Sequence, residues 1–202
     1  MERTEVAFTV DDGAAWRASP PAKRPIAELF CMPEDPVHPS ALPPEKLLAR
    51  CDMRFLRRSG PGGQHRNKVS TAVVLEHRPS GIQAEASERR SQAENRAAAL
   101  FRLRMQLALG VRVKRKAGDA PSPLWQSRVR GGRIEIGSTH EHFPAILAEA
   151  LDVMAEDGFD PKLAAAALGC SVSQLVKLLK KEPRALTQVN QERLRRGQHP
   201  LQ

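Results

Sequence analysis

Arg57-Arg58-Ser59-Gly60-Pro61-Gly62-Gly63-Gln64-His65-Arg66-Asn67-Lys68 is the stretch from which the rest of the chain is read. Two adjacent glycines and a glutamine stand between basic flanks. Glycine admits backbone angles closed to other residues and has no Cβ to hold a partner at a distance. The flanking cations attract phosphate whatever the base sequence. Nothing in the run is a strong acid, base or nucleophile at neutral pH. Any chemistry here therefore works through backbone dipoles and one amide side chain. Taken alone, the run also reads as an ordinary basic surface loop.

Its surroundings favour a scaffold for that loop. Pro44 to Ala49 reads as a short helix with proline in its first turn. Asp52 to Arg58 alternates like a strand. Val69 to Glu76 is apolar and β-branched, Pro79-Ser80-Gly81 makes a turn, and Ile82 to Ala86 returns as a hairpin partner. Ser91-Gln92-Ala93-Glu94 has capping-box spacing. Ala93, Ala97, Leu100, Leu103 and Leu107 follow at helical spacing and are expected as one core stripe. The loop thus lies between two strands of a small mixed or antiparallel sheet with a helix packed across it.

The order of these segments resembles the catalytic domain of class I peptide chain release factors. It is most similar to the codon-independent ribosome-rescue hydrolases that keep that domain and lose the codon-reading ones. Arg58-Ser59-Gly60-Pro61-Gly62-Gly63-Gln64-His65 is followed by Asn67-Lys68 and by Ser70-Thr71-Ala72-Val73. His77-Arg78-Pro79-Ser80-Gly81-Ile82 stands where the family has a His-x-Pro-Thr-Gly-Ile type of turn. Glu88-Arg89-Arg90-Ser91-Gln92, with Asn95, matches a Glu-Arg-Ser-Gln-x-x-Asn pattern with one extra arginine. Arg66 departs from the apolar residue usual at that position.

The resemblance implies hydrolysis of the ester joining a peptide to transfer RNA, in the ribosomal peptidyl-transferase centre. Gly62, Gly63 and Gln64 would be the catalytic residues. The backbone N–H of Gln64 would stabilise negative charge developing on the reacting oxygens, worth roughly 3–4 kcal/mol for one donor. Its side chain would shape the pocket so that water is the nucleophile. Arg58, His65, Arg66, Asn67 and Lys68 would contact RNA backbone, with Arg89, Arg90, Gln92 and Asn95 as further contacts or merely a solvated, capped helix start. The ribosome, its ribosomal RNA and peptidyl-tRNA are the implied partners, with a glutamine methyltransferase that modifies Gln64 as a further one. No cofactor or metal is implied, and a monomer is expected.

Charge agrees with an RNA partner. The formal net charge is +9, and residues 44–116 hold 17 basic against 6 acidic side chains. Residues 1–43 are acidic overall and residues 117–202 nearly balanced, so the positive field belongs to the middle of the chain. No basic amphipathic helix with large apolar residues points to a membrane.

Residues 1–43, rich in proline, are expected as a partly irregular arm, with no room for a stop-codon-reading domain. Glu2, Glu5, Asp11 and Asp12 argue against a transit peptide. Cys31, Cys51 and Cys170 are widely spaced and fit no metal pattern, in keeping with a reduced cytoplasm.

The resemblance covers residues 44–116 and ends there. Residues 117–140 are expected as a linker with a short strand at Gly132 to Ile136, and residues 141–202 as a small all-α domain. Phe143 to Met154 reads as a helix. Asp160 to Leu168, a Gly169-Cys170-Ser171 turn and Ser173 to Lys181 read as a helix-turn-helix, or as a plain helical hairpin. Lys177, Lys180, Lys181, Arg195 and Arg196 are candidate RNA contacts at its basic end, the alternative being a solvated helix. His140-Glu141-His142 lacks further ligands for a metal site. Trp16 and Trp125 lack the aromatic interleaving of a base-stacking platform. The expected fold is α+β with a helical second domain. The expected function is codon-independent peptidyl-tRNA hydrolysis, the alternative being a ribosome- or DNA-binding factor without hydrolase activity.

Overall fold

The computed structural model describes residues 37–57, 71–115 and 118–202. Helix α1 (Pro44–Leu48) leads into strand β1 (Cys51–Leu56), which pairs antiparallel with β2 (Ala72–His77). Strand β3 (Ile82–Ala86) pairs on the other side of β2. The register runs from Cys51 opposite His77 to Leu56 opposite Ala72, and from Val73 opposite Ala86 to His77 opposite Ile82. The period of two puts Val73, Leu75, Ala84 and Ala86 on one face, all buried. A tight turn closes β2 to β3, with Gly81 at φ +67 and its N–H donating to the His77 carbonyl.

Across that face lies α2 (Gln92–Gly110), begun by Ser91, whose hydroxyl accepts from the Glu94 N–H at 3.3 Å. Ala99, Leu103 and Leu107, each one turn apart, fill the space over the sheet. Met105 and Leu109 point to the opposite side and join a second core. One helix therefore serves two cores.

The core stripe expected on α2 is corrected at its first half. Ala93 and Ala97 are exposed and Leu100 is half-buried, while Asn95 and Ala99 take the buried positions. The reason is geometric. Phe55 shares the helix-facing side of the sheet with its partner Val73 but is 37% exposed, because α1 and α2 diverge there. Ala93, Ala97 and Leu100 line the resulting open groove of about 730 Å³ together with Phe55, Leu48 and Pro44.

The second core is helical. It is built on α4 (Phe143–Glu156), apolar nearly all round, as a helix buried on most faces must be. Within the stretch expected as a linker, residues 123–128 form α3, and Val129–Arg130 and Arg133–Ile134 form the hairpin β4–β5. Trp125 of α3 is 1% exposed, and its indole N–H donates to the Leu168 carbonyl at 2.8 Å. Helix α5 (Pro161–Ala167) is capped by Asp160 and α6 (Val172–Lys180) by Ser171. These two helices lie at 100° to each other, and α7 (Pro183–Arg195) completes the bundle. Ala164, Leu168, Leu175 and Leu179 are all buried between them.

The described end of the N-terminal arm is anchored. His38 donates through Nε2 to the Val111 carbonyl at 3.2 Å and accepts at Nδ1 from the Ser40 N–H at 3.1 Å. Arg104 of α2 donates to the Leu42 carbonyl at 2.6 Å. Among the described residues no single helix is long and apolar enough to cross a membrane.

Candidate functional site

Gly62, Gly63 and Gln64, with Arg58, His65, Arg66, Asn67 and Lys68, lie outside the described residues, as does Trp16. What the structure describes is the platform from which that segment departs. Strands β1 and β2 are neighbours, and their last pair is Leu56 opposite Ala72. The chain thus leaves and rejoins the sheet at one end, beside the N-terminus of α2.

Asn95 organises this end. It is fully buried, and its amide nitrogen donates to the Thr71 carbonyl at 2.7 Å and to the Arg89 carbonyl at 2.9 Å. Its side-chain oxygen accepts from the Arg89 N–H at 2.9 Å. Grouping Asn95 with the RNA contacts is therefore corrected. Its amide is spent on backbone, joining Thr71 to Arg89, and the side chain is buried.

The other residues of that group do face outward. Arg89, Arg90 and Gln92 are exposed in the turn before α2 and in its first helical position. Arg57, the last described residue before the departing segment, is exposed too. Glu88 is withdrawn from this surface by Arg102, whose guanidinium donates to it at 2.7 Å and holds its carboxyl below the usual carboxylate range. The α2 N-terminus adds the partial positive charge of its unpaired N–H groups. Together these make a surface suited to phosphate.

The five C-terminal candidates separate. Arg195 pairs with Glu192 at 2.5 Å, and the Arg196 guanidinium stacks 5.3 Å from the Phe159 ring centre. Lys181 donates to the Ile136 carbonyl. Lys177 and Lys180 are exposed on α6 and have no partner among the described residues. The α6–α7 junction sits beside Phe101 and Met105, midway along α2, away from the end that holds Thr71.

His140 and His142 form a polar knot instead of a ligand pair. One Arg128 nitrogen lies 3.2 Å from His140 Nε2 and 3.1 Å from His142 Nδ1, and His140 Nδ1 accepts from the His142 N–H at 3.1 Å, so both rings are engaged in a local network. Burial is the main cause that lowers the His142 pKa, aided by His140, Arg128 and Arg104 and opposed by Glu141.

Sequence reasoning passed over Arg130 and Arg133, which flank the β4–β5 turn. The signal was the Gly131-Gly132 dipeptide between them, a strong two-residue hairpin former.

Comparison with known proteins places this platform. Residues 47–139 match the family described as RF-1 domain. Peptide chain release factor 1 of Verminephrobacter eiseniae is 35% identical over 155 residues, covering 73% of this chain and 42% of that protein. Peptide chain release factor PrfB1, chloroplastic, of Arabidopsis thaliana is 38% identical over 85 residues, or 39% of this chain and 19% of that one. Peptide chain release factor 1 of Delftia acidovorans is 44% identical over 75 residues, covering 36% of this chain and 21% of that one. The matched part of the chain spans less than half the length of each of these relatives.

Proposed function

We propose, from the premise that residues 47–139 belong to the class I release factor catalytic-domain family, that this protein hydrolyses the peptidyl-tRNA ester on the ribosome. One observation supports this reading most. The segment bearing Gly62-Gly63-Gln64 departs from the paired strand ends Leu56 and Ala72, within the matched domain.

In this reading the backbone N–H of Gln64 donates to oxygens that gain negative charge as water attacks the ester carbonyl. The Gln64 side chain admits water and excludes bulkier nucleophiles. Gly62 and Gly63 let the backbone approach the transfer RNA end without a Cβ in the way. Arg58, His65, Arg66, Asn67 and Lys68 hold RNA phosphate, with Arg89, Arg90 and Gln92 beside them. Asn95 keeps the loop's return point fixed against α2. Gln64 is also the amide a glutamine methyltransferase would modify.

The release is codon-independent, acting on ribosomes that stall without a stop codon. The helical segment from α5 to α7 supports that reading: Lys177 and Lys180 are exposed on it and have no partner among the described residues. The experiment is peptide release from purified ribosomes carrying labelled peptidyl-tRNA, on messenger with a stop codon, with a sense codon, and truncated in the decoding site. Equal or faster release without the stop codon supports the proposal. Release that requires a stop codon overturns its codon-independent part, and no release at all overturns the hydrolase.

A further inference from the structure

Arg130 and Arg133 face each other across the two-residue turn Gly131-Gly132. Both glycines hold positive φ, +53 and +73, backbone that other residues rarely adopt, and no atom lies within 4 Å of where a Cβ would stand. On the side where Cβ atoms would stand, the tip faces open space. The adjoining pair, Val129 and Ile134, turns toward the helical core, so the pleat directs both arginines outward. Neither arginine makes a hydrogen bond or ion pair among the described residues. Like charges directly opposite on paired strands repel. An anion seated between them would turn that repulsion into attraction.

The hairpin is fixed to α6. The Ser171 N–H donates to the Gly132 carbonyl at 3.2 Å, and the Ile134 N–H to Gln174 Oε1 at 3.4 Å. Lys177 follows Gln174 by one helical turn, exposed and without a partner among the described residues. Glu135, exposed beside the hairpin, is the one acid among these side chains. Two guanidinium forks and one ammonium held on a rigid tip suit the sugar-phosphate backbone of RNA, since the arginine fork meets phosphate oxygens bidentately.

We infer that the Arg130–Arg133 hairpin and the Lys177 flank of α6 form a second RNA-backbone contact, distinct from that of residues 58–70. The inference rests on the ribosomal reading above, which names ribosomal RNA as the partner. The contact proposed is to phosphate and sugar, which carry no base sequence directly. Its contribution is to affinity and to its salt dependence, not to the hydrolytic step.

The test uses the full chain, titrated onto purified 70S ribosomes over a series of potassium chloride concentrations. The double variant Arg130→Gln, Arg133→Gln is expected to bind about tenfold more weakly at low salt, with the slope of log affinity against log salt shallower by about 1.5, the loss of two phosphate contacts. Peptide release at saturating protein should persist. Lys162→Gln, an exposed lysine on α5 outside the proposed contact, should change neither quantity. Arg130→Lys with Arg133→Lys keeps the charge and should keep the slope. Unchanged affinity and slope in the glutamine variant would overturn the inference. So would a loss seen on duplex DNA of matched length but absent on ribosomes. A wild type that binds with the expected slope yet releases no peptide would overturn the hydrolase and leave this contact standing.

Discussion

Asn95 donates an amide hydrogen to the Thr71 carbonyl over 2.7 Å, joining the second turn of α2 to the point where the chain re-enters the sheet. The same amide group holds both backbone groups of Arg89. A single buried side chain thus ties Thr71, the first described residue after residues 58–70, to the backbone of Arg89.

Replacing Asn95 should therefore harm function beyond its cost in stability. Asn95→Leu leaves buried backbone groups of Thr71 and Arg89 without partners, each costing about 1–3 kcal/mol. Asn95→Asp is expected to be at least as severe, since a carboxylate would face two carbonyl oxygens. Chemical denaturation checks the first point. Peptide release measured where the variant is still folded checks the second, with a drop in rate expected and an unchanged rate contradicting the positioning role.

Two buried groups should oppose each other in acid. Burial, with the Arg112 charge beside it, lowers His38 from 6.5 to about 3, against a weaker pull upward from its bond to the Val111 carbonyl. Burial raises Asp152 from 3.8 to about 7, despite the neighbouring Arg112 guanidinium, 3.4 Å away. In the pH range between these values the unfolded chain binds a proton at His38 that the fold refuses, so the His38 contribution is lost as pH falls below 6.5. The fold binds a proton at Asp152 that the unfolded chain releases, so that contribution grows as pH falls from about 7. The opposing slopes are each about 1.4 kcal/mol per pH unit at most. Asp152→Asn should unmask a fall in stability below pH 6.5, and His38→Gln a rise. Unfolding free energies measured from pH 4 to 7.5 would show parallel curves for all three proteins if neither group titrates as described.

Trp125 ties α3 to the turn between α5 and α6. Trp125→Phe removes the hydrogen bond to the buried Leu168 carbonyl and should cost about 1–3 kcal/mol. Trp125→Ala adds a cavity and should cost about 3–5 kcal/mol. Because α2 lends Met105 and Leu109 to the same core, the loss should appear as one cooperative transition shifted to lower denaturant. Two separated transitions would contradict a shared helix between the cores.

The local signals in the sequence were clear where one interaction decides the outcome. Ser91 with Glu94, the alternation through Val73 and Leu75, and the turn at Gly81 each follow from one capping or pleating rule. The face of α2 was not legible, because that helix is apolar on several sides and its burial is divided between two cores. Ala93 and Ala97 fit the period but line the open groove between α1 and α2. Asn95 stands in a motif that reads equally as a ligand contact or a clamp, and its pairing with Thr71 spans 24 positions of chain. The stretch 117–140 read as a linker, yet Trp125 is buried within it and carries a six-residue helix.

The most direct measurement is the release of labelled peptide from ribosomes stalled without a stop codon, comparing wild type with Gly63→Ala. The account predicts release by the wild type, a loss of at least about a hundredfold in the variant, and unchanged ribosome binding by both. Equal release by the two proteins, or none by a wild type that still binds ribosomes, would contradict it.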